Sequence, residues 1–168
     1  MSEYPEIFRI RQKFERPVIE DVTGEVESQL ARLNLSKSIQ PRQSVAITAG
    51  SRGIANIHII IKGIVDHLKG LGAEPFIVPA MGSHGGATAQ GQQRIVEGYG
   101  ITEAFCGCPI RSSMEIVIVC DAQEGFPVYF DKNAYGADHV VVCGRVKPHT
   151  SFVGDIESGL MKMMAIGL

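Results

Sequence analysis

An α/β fold, a mainly parallel sheet with helices on both faces, is what the sequence predicts, and two observations carry the expectation. A short run of strand formers, a glycine turn and an amphipathic helix follow one another from "RQSVAITAG" through "GSRG" to Leu68. The same succession returns in "EPFIVPAM", "GSHGGAT" and "AQGQQRIVEGYG". Strands joined by helical crossovers lie side by side and point the same way, so the sheet is expected to be Rossmann-like.

Taken in order, Ile19, Val22, Val26, Leu30 and Leu33 recur at helical spacing and predict a helix from about Ile19 to Leu33. "RQSVAITAG" then reads as a buried strand closed by glycine. Ile57, Ile60, Ile61, Ile64, Val65 and Leu68 predict a second helix, ended by Gly70 and Gly72. The next strand is "EPFIVPAM", and "AQGQQRIVEGYG" is a helix with glycine at its end. "MEIVIVC" and "PVYFD" add two short strands, readable as a local antiparallel insertion, before a brief helix near "KNAYGA". "DHVVVCG" is expected to be a further buried strand, followed by the loop "GRVKPHTSFVG".

A chain of 168 residues is expected to form one domain, spanning 1–168, with a continuous apolar core and no need of metal or disulfide staples. The composition, 45% hydrophobic and 20% charged with a net charge of -2, excludes a strong bias toward nucleic acid or an anionic membrane surface. Small molecules and protein partners remain. Runs such as "HIIIKGIV" and "HVVVCG" are broken well short of the roughly 20 apolar residues a membrane span needs. "MSEYPEIFRIRQKFERP" lacks the apolar block of a signal peptide, so a cytoplasmic protein is expected. Cys106, Cys108, Cys120 and Cys143 are expected as reduced thiols in or near the core. Cys106 and Cys108 could ligate a soft metal, but no second Cys/His pair stands at zinc-site spacing.

In open parallel sheets, ligands bind beyond the carboxyl ends of the strands. The turns at those ends carry Ser51 and Arg52, Ser83 and His84, and Lys147 and His149. A parallel sheet would put these side chains on one rim. The glycines of the turns can equally serve only to supply positive φ angles for the bend into a helix. Arg52 beside a helix start is a suitable clamp for a carboxylate or phosphate, and a surface ion pair explains it as well. His58, His67 and His139 fall in a helix or at a strand start, where packing or solvation is their expected role. Asp155 and Glu157 could orient His149, bind a metal or simply face water. Lys162 lies in the apolar context "ESGLMKMMAIGL", where an ammonium would be costly to bury. It is either a snorkelling surface lysine or an amine kept neutral for attachment to a cofactor.

The ordered set "GSRG", "GSHGGAT" and "VKPHTSFVGDIESGLMKM" resembles the lactate racemase family, over a stretch from about Val45 to the last residue. The resemblance implies a racemase or epimerase of 2-hydroxy acids that uses a nickel-pincer nucleotide, a pyridinium mononucleotide tethered to a lysine. Carried over by residue, Lys162 is the attachment point, with Gly82, Ser83 and Lys147 also on the cofactor. His84 and His149 are the paired acid/base groups, and Ser51 and Arg52 bind the substrate. In that family the cofactor ring accepts hydride from the hydroxyl-bearing carbon. The family also supplies a nickel-ligating histidine beyond the tethering lysine and a C-terminal domain that closes over the site. This chain is therefore expected to be an N-terminal domain that lacks both, is without its own complete metal site and is inactive alone. The expected partners are the 2-hydroxy acid and the missing C-terminal domain, with a homo-oligomer left open.

Two positions depart from the family pattern. Ala49 stands where an acidic residue is usual, and Gly85 where arginine is frequent. A different, larger or sugar-derived 2-hydroxy acid is the implied substrate. Two other readings compete: a non-catalytic α/β module that binds a phosphate or nucleotide, and a hydrolase with His84 and His149 on zinc.

Overall fold

Val45 to Ala49 are all buried, as the central strand of a sheet covered on both faces must be. They belong to β1 (Ser44–Ala49), which lies between β2 (Glu74–Pro79) and β5 (His139–Val141) in a parallel sheet of order β2-β1-β5. The register pairs Ile47 with Ile77 on one side and Val141 on the other. This computed structural model describes residues 7–15, 17–149, 151 and 153–168. Part of the N-terminal stretch read above for a leader, and Thr150 and Phe152 of the last loop, lie outside the described residues.

The alternation of strand side chains divides the core. Val45, Ile47, Ala49 and Ile77 pack in one cluster with α1 (Val22–Leu33), α2 (Ile57–Gly70), α3 (Ala89–Gly98) and α4 (Glu103–Cys106). Ala46, Phe76 and Val78 form a second cluster with Ala134 of the short α5 (Lys132–Tyr135), against which Phe130 and Leu168 pack. The sheet thus carries helices on both faces, unequally. At the outer edge of β2, Ile110 adds one parallel bridge to Ile77, and the Arg111 guanidinium stacks 4.0 Å from the Phe76 ring centroid.

The first helix starts later than its apolar spacing suggests. Asp21 is its N-cap, accepting from the Gly24 amide at 2.9 Å, and Ile19 lies outside it and exposed. "MEIVIVC" and "PVYFD" do form an antiparallel hairpin, β3 (Ile116–Asp121) and β4 (Pro127–Asp131), with a bulge between Ile118 and Cys120. β3 is largely exposed, which takes Cys120 out of the expected core while Cys106 and Cys108 are buried and Cys143 is half-buried. All four cysteines are free thiols. β5, at one edge of the sheet, is half-buried rather than buried.

Beyond Val141 the pairing of β5 with β1 passes to a side chain. The buried Thr48 hydroxyl donates to the Cys143 carbonyl at 3.1 Å and accepts the Cys143 amide at 2.8 Å. The next regular element among the described residues is α6 (Gly159–Lys162), which continues as a π-helical turn, Met163–Gly167. The periodicity gave no warning of this last helix. Among the described residues, no helix is long and apolar enough to cross a membrane.

Candidate functional site

The loops after β1, β2 and β5 meet beneath the terminal helix. The approach there is close: a Cβ on Gly50 would lie 2.9 Å from the methyl at the flexible end of Met163, and one on Gly144 would lie 2.8 Å from it. A Cβ on Gly82 would lie 2.7 Å from the Ile166 carbonyl oxygen. Between loops and helix opens a cavity of about 450 Å³, whose wall includes Ser51, Arg52, His84, Lys147, His149 and Lys162. Residues from four separate segments are thereby brought together.

Hydrogen bonds position Ser51, His84, Lys147 and His149. Ser51 Oγ and His84 Nδ1 share a hydrogen bond, and the Tyr99 hydroxyl donates to the Ser51 carbonyl at 2.7 Å. The turn that carries His84 is held by the buried Gln92, whose amide donates to the Gly82 carbonyl at 2.6 Å. Gly82, Gly85 and Gly86 in that turn all have positive φ, whereas Gly50 and Gly53 do not. Of the glycines after β1, Gly50 therefore makes room for Met163 and does not set the sense of a turn, and a Cβ on Gly53 would make only ordinary contact with the Tyr99 ring. Glu157 acts on His149 through the backbone, accepting its amide at 2.6 Å, while the Ser151 amide donates to the imidazole Nδ1 at 3.1 Å. Lys147 Nζ donates to the Pro148 carbonyl at 3.1 Å.

Gly82 and Ser83 do not line the cavity, and Gly82 is occupied in seating the terminal helix. Arg52 lies in the loop ahead of α2 and not on its first turn, because Asn56, in the left-handed region with φ 59°, turns the chain before Ile57. Lys162 is exposed at the cavity wall, where its amine avoids the burial its apolar neighbours would make costly. Met163, one residue on and about 100° round the helix, takes the inward position. His58 lies against the Phe105 ring at 5.5 Å between centroids, His139 Nε2 bonds Gln43 at 2.9 Å, and none of His58, His67 and His139 lines the cavity.

Arg145 was missed by the sequence reading. It lines the cavity with Lys147 and His149, and alternation along an extended segment puts such residues on one side. That spacing was the available signal. With Arg52 and Lys162, the described residues of the wall include four Lys or Arg side chains and neither Asp nor Glu, in a chain whose net charge is -2. Concentrated positive charge of this kind favours an anionic ligand. Cys143, also on the wall, has its thiol pushed up by burial. Burial likewise pushes Cys108 up to about 11, with Cys106 beside it adding to the effect, so these two are poor sources of thiolate. Among the described residues, no group of three or more His, Cys, Asp or Glu could hold a metal ion.

The fold and this rim define an α/β domain with a cationic ligand cavity at the carboxyl ends of its parallel strands. The sequence profile of the lactate racemase N-terminal domain matches residues 8–166, and the chain belongs to that family. The match extends well ahead of Val45, where the motif likeness began. No curated protein matches the chain.

Proposed function

We propose that this chain is the N-terminal catalytic domain of a racemase or epimerase that inverts a 2-hydroxy acid by hydride transfer, using a nickel-pincer nucleotide carried on Lys162. The observation that most supports the reading is that Arg52, His84, His149 and Lys162 line one cavity. Its volume of about 450 Å³ lies in the usual range for small-molecule sites, roughly 300–1,000 Å³. An exposed amine on the wall, at the point where the α-helix passes into a π-turn, fits a tethering role. Lys162 would hold the nucleotide and the neighbouring cations, Lys147 among them, would face its anionic part. When bound, the group supplies a ring that takes up and returns hydride.

The chain's own residues do the remaining work. Arg52 grips the substrate carboxylate through its planar fork and keeps the acid in place while the centre inverts. His84 and His149 move the hydroxyl proton. Two are needed because the alcohol is presented in either hand, and imidazole changes charge near neutral pH. Glu157 steadies the His149 backbone and Ser51 the His84 ring. A C-terminal domain in a longer protein would complete the nickel site and cover the cavity. Ala49 and Gly85 argue for an acid other than lactate, larger or sugar-derived. A cytoplasmic setting suits the free thiols.

The test is intact-mass analysis of the longer protein expressed with the enzymes that make the cofactor. An adduct on Lys162, together with loss of isomerisation in His84→Ala and in His149→Ala, is expected. An unmodified Lys162 in a protein that binds a free mononucleotide would replace this reading with that of a non-catalytic nucleotide-binding module.

A further inference from the structure

We propose that Ser51 is a positioning residue for His84: its Oγ accepts the imidazole Nδ1–H and so reserves Nε2 for the proton exchanged with the ligand. The inference rests on the acid/base role given to His84. It moves Ser51 from contact with the substrate, its expected place, to action through the histidine.

The hydrogen bond joins two loops, one after β1 and one after β2. Both ends are held. The Ser51 carbonyl accepts from the Tyr99 hydroxyl at 2.7 Å, and the Tyr99 ring packs against the core cluster at the end of α3. The His84 amide donates to the Met81 carbonyl at 3.2 Å. Nε2 makes no hydrogen bond among the described residues, and His84 lines the cavity. Which ring nitrogen exchanges a proton is set by the bond the other one makes.

The protons balance without a further reactant. Neutral His84 carries its proton on Nδ1, donated to Oγ. Nε2 takes the ligand's hydroxyl proton, and the resulting imidazolium still donates through Nδ1. Return of the proton from Nε2 restores the first state. A carboxylate at the position of Oγ would hold the imidazolium by charge, whereas a hydroxyl orients the ring and leaves the proton free to go back. Among the described residues, the other charged and titratable groups lining this cavity are Arg52, Cys143, Arg145, Lys147, His149 and Lys162, none of them a carboxylate.

Multiple-bond ¹⁵N NMR of the imidazoles, on this chain, is the direct test. The His84 ring should be protonated on Nδ1 in the unaltered protein. Ser51→Ala should shift its population toward the Nε2–H form, Ser51→Thr should restore it, and Tyr99→Phe should fall between. A ring already protonated on Nε2, or one that Ser51→Ala leaves unchanged while the backbone spectrum shows an intact fold, overturns the proposal. In the loaded full-length enzyme, Ser51→Ala should lower kcat about 10- to 100-fold with little change in KM. A raised KM with kcat intact would return Ser51 to the substrate and equally overturn it. Should the full-length enzyme show no isomerase activity in any form, the proposed function falls, and the tautomer measurement still decides the role of Ser51.

Discussion

The carbonyl oxygen of Ile166 occupies the space a side chain on Gly82 would need, 2.7 Å from where its Cβ would stand. Gly82 also has φ +57°, a conformation that costs other residues about 1–2 kcal/mol. Gly82→Ala should therefore destabilise the protein by about 2 kcal/mol or more and unseat the terminal helix. Gly50→Ala meets only the end of the flexible Met163 side chain and should cost much less. Urea unfolding of both variants, with limited proteolysis of the segment from Arg145 onward, checks the difference.

Gly85 has φ +68°, and a Cβ there would lie 2.6 Å from the Gln92 amide nitrogen. Arginine cannot enter here without moving the backbone that opens α3. Gly85→Arg should lose about 2 kcal/mol or more, read from denaturant midpoints, and Gly85→Ala nearly as much.

Thr48 stands in for the missing rungs between β1 and β5. Thr48→Val keeps the volume and leaves the Cys143 amide and carbonyl without their partner, at a cost of about 1–3 kcal/mol. Amide hydrogen exchange at Cys143 should quicken more than at Ile47, because the loss is local.

Asp138 ties the start of β1 to the start of β5. Its carboxylate accepts from the Ser44 hydroxyl at 2.7 Å and the Ser44 amide at 2.8 Å, and these bonds hold its pKa below the ordinary 3.8. With the folded value below the unfolded one, the contribution is complete above the unfolded pKa and is lost as pH falls through the folded one. Thermal unfolding between about pH 5 and about pH 2 should show a shallower fall for Asp138→Asn than for the unaltered chain.

Much of the fold was legible in single residues. Ile57, Ile61, Ile64, Val65 and Leu68 announce α2 at helical spacing and are the residues it buries. The terminal helix gave no such signal. Leu160, Met161, Met164 and Ile166 are exposed and apolar, so apolar residues surround the helix, and its passage into a π-turn spoils the period of 3.6. The glycines show the same limit. Gly50 and Gly82 are one letter in equivalent turns, yet one makes room for a side chain and the other takes a left-handed φ against a carbonyl.

By itself the sequence determined the main helices and strands up to β5, the parallel sense of the sheet and the turns that carry reactive side chains, because period, propensity and glycine act over a few neighbouring residues. Only the tertiary structure decided that Ser51 meets the ring of His84, that Arg145 shares their cavity, and that Lys162 stands exposed on its wall. Those relations join loops far apart along the chain. They depend on strand register and on the seating of the last helix, which no local pattern encodes.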